Sequence, residues 1–191
     1  MEIYNHIIKN IPFLNSPNFN DRPDEKKIFL IVIHSISLPP KSYGNTYVED
    51  FFLNKLNIQD NEYFIKIKDL KVSSHLYVKR DGKIIQFVPF NKRAWHAGDS
   101  RYKGEKDCNN FSIGIELEGN DKDIYTDQQY KSLVAATKLI LKKYPLIKKE
   151  NIVGHSDISP GRKKDPGEKF NWSKYIKQLW AFSSIHRKQS I

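Results

Sequence analysis

The sequence predicts an α/β fold: a single domain with a central mixed β-sheet and helices packed on it. Three observations predict it. Ile28 to Ile33 is an unbroken apolar run of β-branched and aromatic residues, with the length and composition of a strand buried on both faces. Phe111, Ile113, Ile115 and Leu117 alternate with Ser112, Gly114, Glu116 and Glu118, the pattern of a half-buried strand. Thr126-Asp127-Gln128-Gln129 forms a capping box for a long helix, with Tyr130, Leu133, Val134, Thr137, Leu141 and Tyr144 on one face and Pro145 as its stop. A chain of 191 residues suits one domain with one substantial core.

In chain order, residues 1–27 read as an irregular lead-in, polar and turn-rich from Asn15 to Asp24. Residues 28–182 read as the domain and 183–191 as a frayed tail. The first strand stops at His34, and Ser37-Leu38-Pro39-Pro40 forces an extended connection. Val48, Phe51, Phe52 and Leu56 recur at helical spacing, which predicts a short amphipathic helix. Val72 to Phe90 reads as a hairpin turning at Asp81-Gly82. A long polar loop runs from Trp95 to Asn110, of a length that in compact domains usually serves function. Ile152-Val153 is a short strand, and Asn171 caps a last helix carrying Trp172, Tyr175, Ile176 and Leu179 inward.

The bulk properties restrict the function classes. The net charge of +10 comes from 32 basic residues, but six of these are arginine and the lysines are scattered. Reading bases or clamping phosphates favours clustered arginine, so no nucleic-acid partner is expected, and the basic surface suits an anionic substrate instead. Cys108 is the only cysteine, which rules out an internal disulfide. The N-terminal segment lacks the apolar core of a signal peptide, and no stretch approaches the roughly 18 apolar residues of a membrane span. A soluble, cytoplasmic, monomeric protein without a membrane partner is expected.

The chemistry concentrates in Gly154 to Gly167, where an imidazole, two carboxylates and three cations share fourteen residues. Pro160, Gly161 and Pro166 argue for a loop rather than a helix. His155 and Asp165 can both ligate zinc, and His34 ends the most apolar strand, where open α/β sheets place their ligand sites. Two histidines and one carboxylate would make a three-ligand site with its fourth position open to water, the catalytic type. Amide hydrolysis then needs a base, for which Glu116 is the candidate and Glu118 on the same face the substitute. It also needs a cation for the oxyanion. Lys163, two residues from Asp165, fits that role, and Arg162 is better suited to gripping a substrate carboxylate. The plain alternatives are a surface loop with an Asp–Lys contact and an exposed strand glutamate. His75, flanked by serines, reads as a hydrogen-bonded structural residue. Trp95 and His96 read as cleft-lining, Trp95 offering an apolar face to a sugar ring.

Five motifs in this order carry a family resemblance: His34 to Pro40, Val72-Ser73-Ser74-His75, Lys92 to Gly98, Phe111 to Gly119, and Gly154-His155 through Asp165-Pro166-Gly167. Across roughly residues 15 to 180 the chain resembles the zinc-dependent type 2 N-acetylmuramoyl-L-alanine amidases. This group includes phage amidases and peptidoglycan recognition proteins, and the chain is most similar to its cytoplasmic 1,6-anhydro-muropeptide branch. The resemblance implies zinc held by His34, His155 and Asp165, with Glu116 as base and Lys163 as transition-state stabiliser. It implies an anhydro-muropeptide as substrate. The same fold also serves as a non-catalytic peptidoglycan-binding module, which is the alternative. Ser35, Lys71 and Asp107 depart from the residues common in the family and bear on peptide selectivity, not on the metal.

Overall fold

The computed structural model describes residues 1–181, so the expected frayed tail at 183–191 lies outside the described residues. The main sheet has five strands, β4 (Leu30–Ile36), β5 (Leu76–Val78), β6 (Ile84–Gln86), β10 (Ser112–Glu118) and β11 (Ile152–Gly154), in the order β11-β4-β10-β5-β6. The first four in that order run parallel, and β6 closes the edge antiparallel to β5. The expected mixed α/β sheet is therefore present, and Val72 to Phe90 does contain a hairpin.

The apolar run at 28–33 becomes a strand displaced by two residues, so His34 lies inside β4 rather than at its end. β10 is buried along its whole length, not half-buried as the alternation suggested. Its Ile113, Ile115 and Leu117 pack under α2 (Asp127–Lys143) together with Tyr130, Leu133 and Val134. Its polar positions lie on the opposite face; α1 (Tyr47–Phe52) buries Val48, Phe51 and Phe52 in a second cluster with Tyr77, Ile85 and Phe87. The Thr126 hydroxyl accepts from the Gln129 N–H and the Gln129 side chain accepts from the Thr126 N–H, so the capping box forms as expected. Ile140 rather than Leu141 completes the buried face of α2. The last helix, α4 (Trp172–Trp180), is capped by Asn171 and buries Tyr175 and Leu179.

Two segments expected to be irregular carry structure. In the first 27 residues, β1 (Ile3–Tyr4) and β2 (Ile7–Ile8) form a hairpin, and β3 (Phe19–Asp21) pairs with β7 (Lys92–Ala94). Ile8 is buried in the main core, and Arg22 is buried too, donating to the carbonyls of Asn109, Phe90 and Ser112. The loop after Trp95 holds a small hairpin of β8 (Arg101–Tyr102) and β9 (Glu105–Lys106). Among the described residues, no helix is long and apolar enough to cross a membrane.

Candidate metal centre

Parallel pairing sets the site. His34 and Glu116 are register partners on β4 and β10, so their side chains project side by side from one face. β11 lies on the other side of β4, and His155 follows its last residue, Gly154. His34 and Glu116 lie in the carboxyl-terminal halves of their strands and His155 just beyond the end of its own, the side of a parallel sheet where ligands gather.

His155 is presented differently from expectation. His155–Ile158 forms a single helical turn, α3, because Asp157 Oδ2 accepts the Gly154 N–H at 2.7 Å and the prolines begin only at Pro160. The chain then folds back so that the Asp165 carbonyl accepts the Ser156 N–H at 3.0 Å. Tyr125 donates to the Pro166 carbonyl at 2.7 Å. Gly167, at φ +90°, lies flush against the Asp121 backbone, where no side chain would fit.

The result is a triangle of ligand atoms. His34 Nδ1 and His155 Nδ1 are 2.9 Å apart, and Asp165 Oδ2 is 3.2 Å and 3.0 Å from them. A tetrahedral ion with bonds of about 2.0–2.1 Å sets its ligands roughly 3.3 Å apart, so the donor set and its spacing suit such an ion. His155 Nε2 lies 3.0 Å from the Ala97 carbonyl, which can only accept, so the tautomer that satisfies this contact carries its proton on Nε2 and turns a bare Nδ1 to the cluster. Burial pushes the His34 imidazolium down to about 4 despite the nearby Asp165, so this ring is neutral at neutral pH. A cation among these three atoms would satisfy all of them at once.

Glu116 Oε1 is 4.0 Å from His34 Nδ1, and its Oε2 is buried without a hydrogen-bond partner. Burial, and next the negative charge of Asp165, raise its carboxyl well above the ordinary range, while Lys163 opposes the shift. Glu118 is different. Its two oxygens accept the backbone N–H groups of Gly44 and Arg80, so it fastens two loops and is not available as a base.

A cleft of about 410 Å³ opens over the cluster. Glu116, His96, Lys163 and Lys164 stand at its polar part, and Leu38, Phe51, Tyr63 and Ile67 form an apolar wall. The apolar wall was not anticipated: Leu38 read as part of an extended connection and Phe51 as a helix position, and Tyr63 and Ile67 carried no assignment. Trp95 and Arg162 do not line this cleft. Trp95 donates to Asn20 Oδ1 at 2.7 Å, and the Arg162 guanidinium is engaged by the carbonyls of Ala97 and Asp99 and by Ser159 Oγ. Arg162 therefore braces the 97–99 loop rather than reaching for a substrate. His75 is structural, as expected: its Nδ1 accepts the Gly114 N–H and its Nε2 meets the Lys92 carbonyl. Asp107 pairs with Arg93 at 2.6 Å. Cys108 is buried, and burial pushes its thiol up, which removes it as a nucleophile.

A His-His-Asp group able to hold a metal, beside a buried glutamate and under an open cleft, is an arrangement that suits a hydrolase. Residues 24–168 match the N-acetylmuramoyl-L-alanine amidase family, and the chain belongs to it. It is similar to the 1,6-anhydro-N-acetylmuramyl-L-alanine amidase AmpD of Haemophilus influenzae, with 50% identity over 166 residues, 87% of this chain and 90% of that one. A crystal structure of a selenomethionine AmpD derivative superposes with a TM-score of 0.91 at 42% identity, covering 94% of this chain and 99% of the other. The Escherichia coli amidase AmiD, solved with anhydro-N-acetylmuramic acid-L-Ala-D-γ-Glu-L-Lys, superposes at 0.59 with 33% identity over 80% of this chain and 57% of that one.

Proposed function

We propose that this chain is a zinc-dependent amidase that cleaves the amide between (1,6-anhydro-)N-acetylmuramic acid and the L-alanine of muropeptides, as a monomer in cytoplasmic peptidoglycan recycling. The observation that carries the proposal is the convergence of His34 Nδ1, His155 Nδ1 and Asp165 Oδ2 within 3.2 Å, beside a buried Glu116 oxygen that has no partner. The names of the relatives supply the substrate class.

His34, His155 and Asp165 would hold the zinc, which would supply Lewis acidity and make a water more readily deprotonated. Glu116 Oε2 takes the proton of the attacking water and delivers it to the departing alanine nitrogen. Its raised proton affinity suits both halves of that task. Lys163 sets an ammonium on the cleft wall to oppose the charge that develops on the carbonyl oxygen. The apolar wall around Leu38, Phe51 and Tyr63 excludes water from one side of the cleft.

The test offers anhydro- and reducing-end muropeptides side by side to the zinc-loaded protein and reads the products by mass spectrometry. Free L-alanyl peptide and anhydro-muramic acid, lost in His34→Ala along with the zinc, are expected. Binding without product would place the chain among the non-catalytic modules, and turnover by metal-free His155→Ala would end the proposal.

A further inference from the structure

We infer that His96 is a positioning residue that holds His34 in the one tautomer able to bind metal. The inference rests on the reading of His34 as a zinc ligand. Its starting point is a backbone carbonyl, which can only accept. Ser112 Oγ lies 2.6 Å from the Cys108 carbonyl oxygen, so the hydroxyl proton is directed there. The same Oγ is 3.1 Å from His96 Nε2 and can then only accept, which places a proton on His96 Nε2. A neutral His96 has a bare Nδ1, and this atom is 2.9 Å from His34 Nε2. His34 must therefore donate from Nε2, and its Nδ1 is left bare toward His155 and Asp165. The reverse order would set Ser112 Oγ and the Cys108 oxygen 2.6 Å apart with no proton between them.

The surroundings hold His96 for this task. Asn109 Oδ1 accepts the N–H groups of both His96 and Ala97, at 3.1 Å and 2.8 Å. The ring lies over Gly114, where a Cβ would come within 2.5 Å of its Cγ. Ala97 treats the second imidazole alike, its carbonyl accepting from His155 Nε2 at 3.0 Å. One dipeptide, fixed by one asparagine, thus sets the outer hydrogen bonds of both histidines in the cluster. Ligating imidazoles with such a partner lose about 10–100-fold in metal affinity when it is removed.

A buried histidine that only fills space would be replaced without loss by a ring of similar size. The test measures zinc affinity of the full chain, by competition with a chromogenic chelator, for wild type, His96→Phe and His96→Asn. Long-range ¹⁵N–¹H spectra of the metal-free wild type read the His34 tautomer directly. The Nε2–H tautomer is expected, with zinc held about 10–100-fold more weakly by His96→Phe and most of that loss recovered by His96→Asn, whose Oδ1 can take the place of Nδ1. Equal affinity in wild type and His96→Phe overturns the inference. Equal losses in the two variants do so as well, and so does an Nδ1–H tautomer on His34. If His96→Phe does not fold, Ser112→Ala replaces it. That variant frees the direction of the chain, so mixed His34 tautomers support the inference and an unchanged single tautomer defeats it. Absence of zinc binding by wild type would instead sink the metal reading, and this inference with it.

Discussion

Gly114→Ala should damage the protein through one side chain only. A methyl group at position 114 would sit 2.5 Å, 2.6 Å and 2.8 Å from His96 Cγ, Nδ1 and Cδ2, against an ordinary carbon contact of about 3.5–4.0 Å. The ring must withdraw by about 1 Å, and the 2.9 Å bond from His34 Nε2 cannot survive that shift. Overpacking costs about 1–3 kcal/mol, and a buried donor left unpaired costs about another 1–3 kcal/mol. The lower backbone entropy of alanine returns about 0.5–1 kcal/mol. The net is about 3 kcal/mol, which for a domain of this size lowers Tm by roughly 6–12 °C. Thermal and urea unfolding of the metal-free protein measure it. Because the clash is with one ring, the double variant Gly114→Ala/His96→Ala should be less destabilised than the two single losses combined, by about 1–3 kcal/mol. A Gly114→Ala protein within about 0.5 kcal/mol of wild type would refute the reasoning, as would strict additivity in the double variant.

Other outcomes follow from the same geometry. Glu116→Gln should keep its zinc and lose about 10²–10⁴-fold in kcat, read by metal analysis beside single-turnover product formation. The same variant should also change how metal-free stability depends on pH. The buried Glu116 keeps its proton above the ordinary carboxyl range, where the unfolded chain has released it, so wild-type stability falls as pH rises through that window. Glu116→Gln lacks that slope, and unfolding curves at a series of pH values show the difference. Removing zinc with a chelator should lower Tm, since ligand at 100 times its Kd contributes about 2.7 kcal/mol, or roughly 5–11 °C here. Asp165→Ala should abolish that difference, and calorimetry with and without chelator reads it. Glu118→Ala should cost about 2–4 kcal/mol while the zinc content stays at wild-type level, because its oxygens hold the Gly44 and Arg80 amides and not the cluster.

The fold was legible where one local pattern sufficed. The capping box at Thr126, the Asn171 cap and the apolar run before His34 are each decided within a few residues, and each forms. Burial of β10 was not legible. Its acids mimic a solvent face, and what covers that face arrives from elsewhere in the sequence, Gly44 and Arg80 at Glu118 and the His96 ring at Gly114. The alternation puts Gly114 beside Glu116, and nothing local shows that the space it leaves belongs to the His96 ring. The turn at His155 did have a signal, Asp157 three residues after Gly154 in the spacing of a cap, and the prolines downstream concealed it. The role of His96 had none, because it depends on Ser112 and Asn109 being folded beside it.

Under the proposed function, what separates the charges assigned a reactive role from the structural ones is unfilled hydrogen-bonding capacity, not burial or residue type. Glu116 and Glu118 are two residues apart on one strand face and both are buried. Glu118 has both oxygens engaged by backbone amides, which commits it to fastening the Gly44 and Arg80 loops. Glu116 has an oxygen that nothing in the protein satisfies, at the edge of an open cleft. Arg162 and Lys163 divide in the same way, since the first directs its guanidinium at carbonyls of the 97–99 loop and the second stays exposed on the cleft wall. Leaving a buried carboxylate oxygen unpaired costs stability, about 1–3 kcal/mol or more, and folding gains nothing from it. Among the described residues, two glutamate side chains have a buried oxygen in that state, Glu49 and Glu116. Glu49 offsets the penalty through Lys79 at 2.7 Å and stands away from the cleft, so the uncompensated case is the one that faces the cluster.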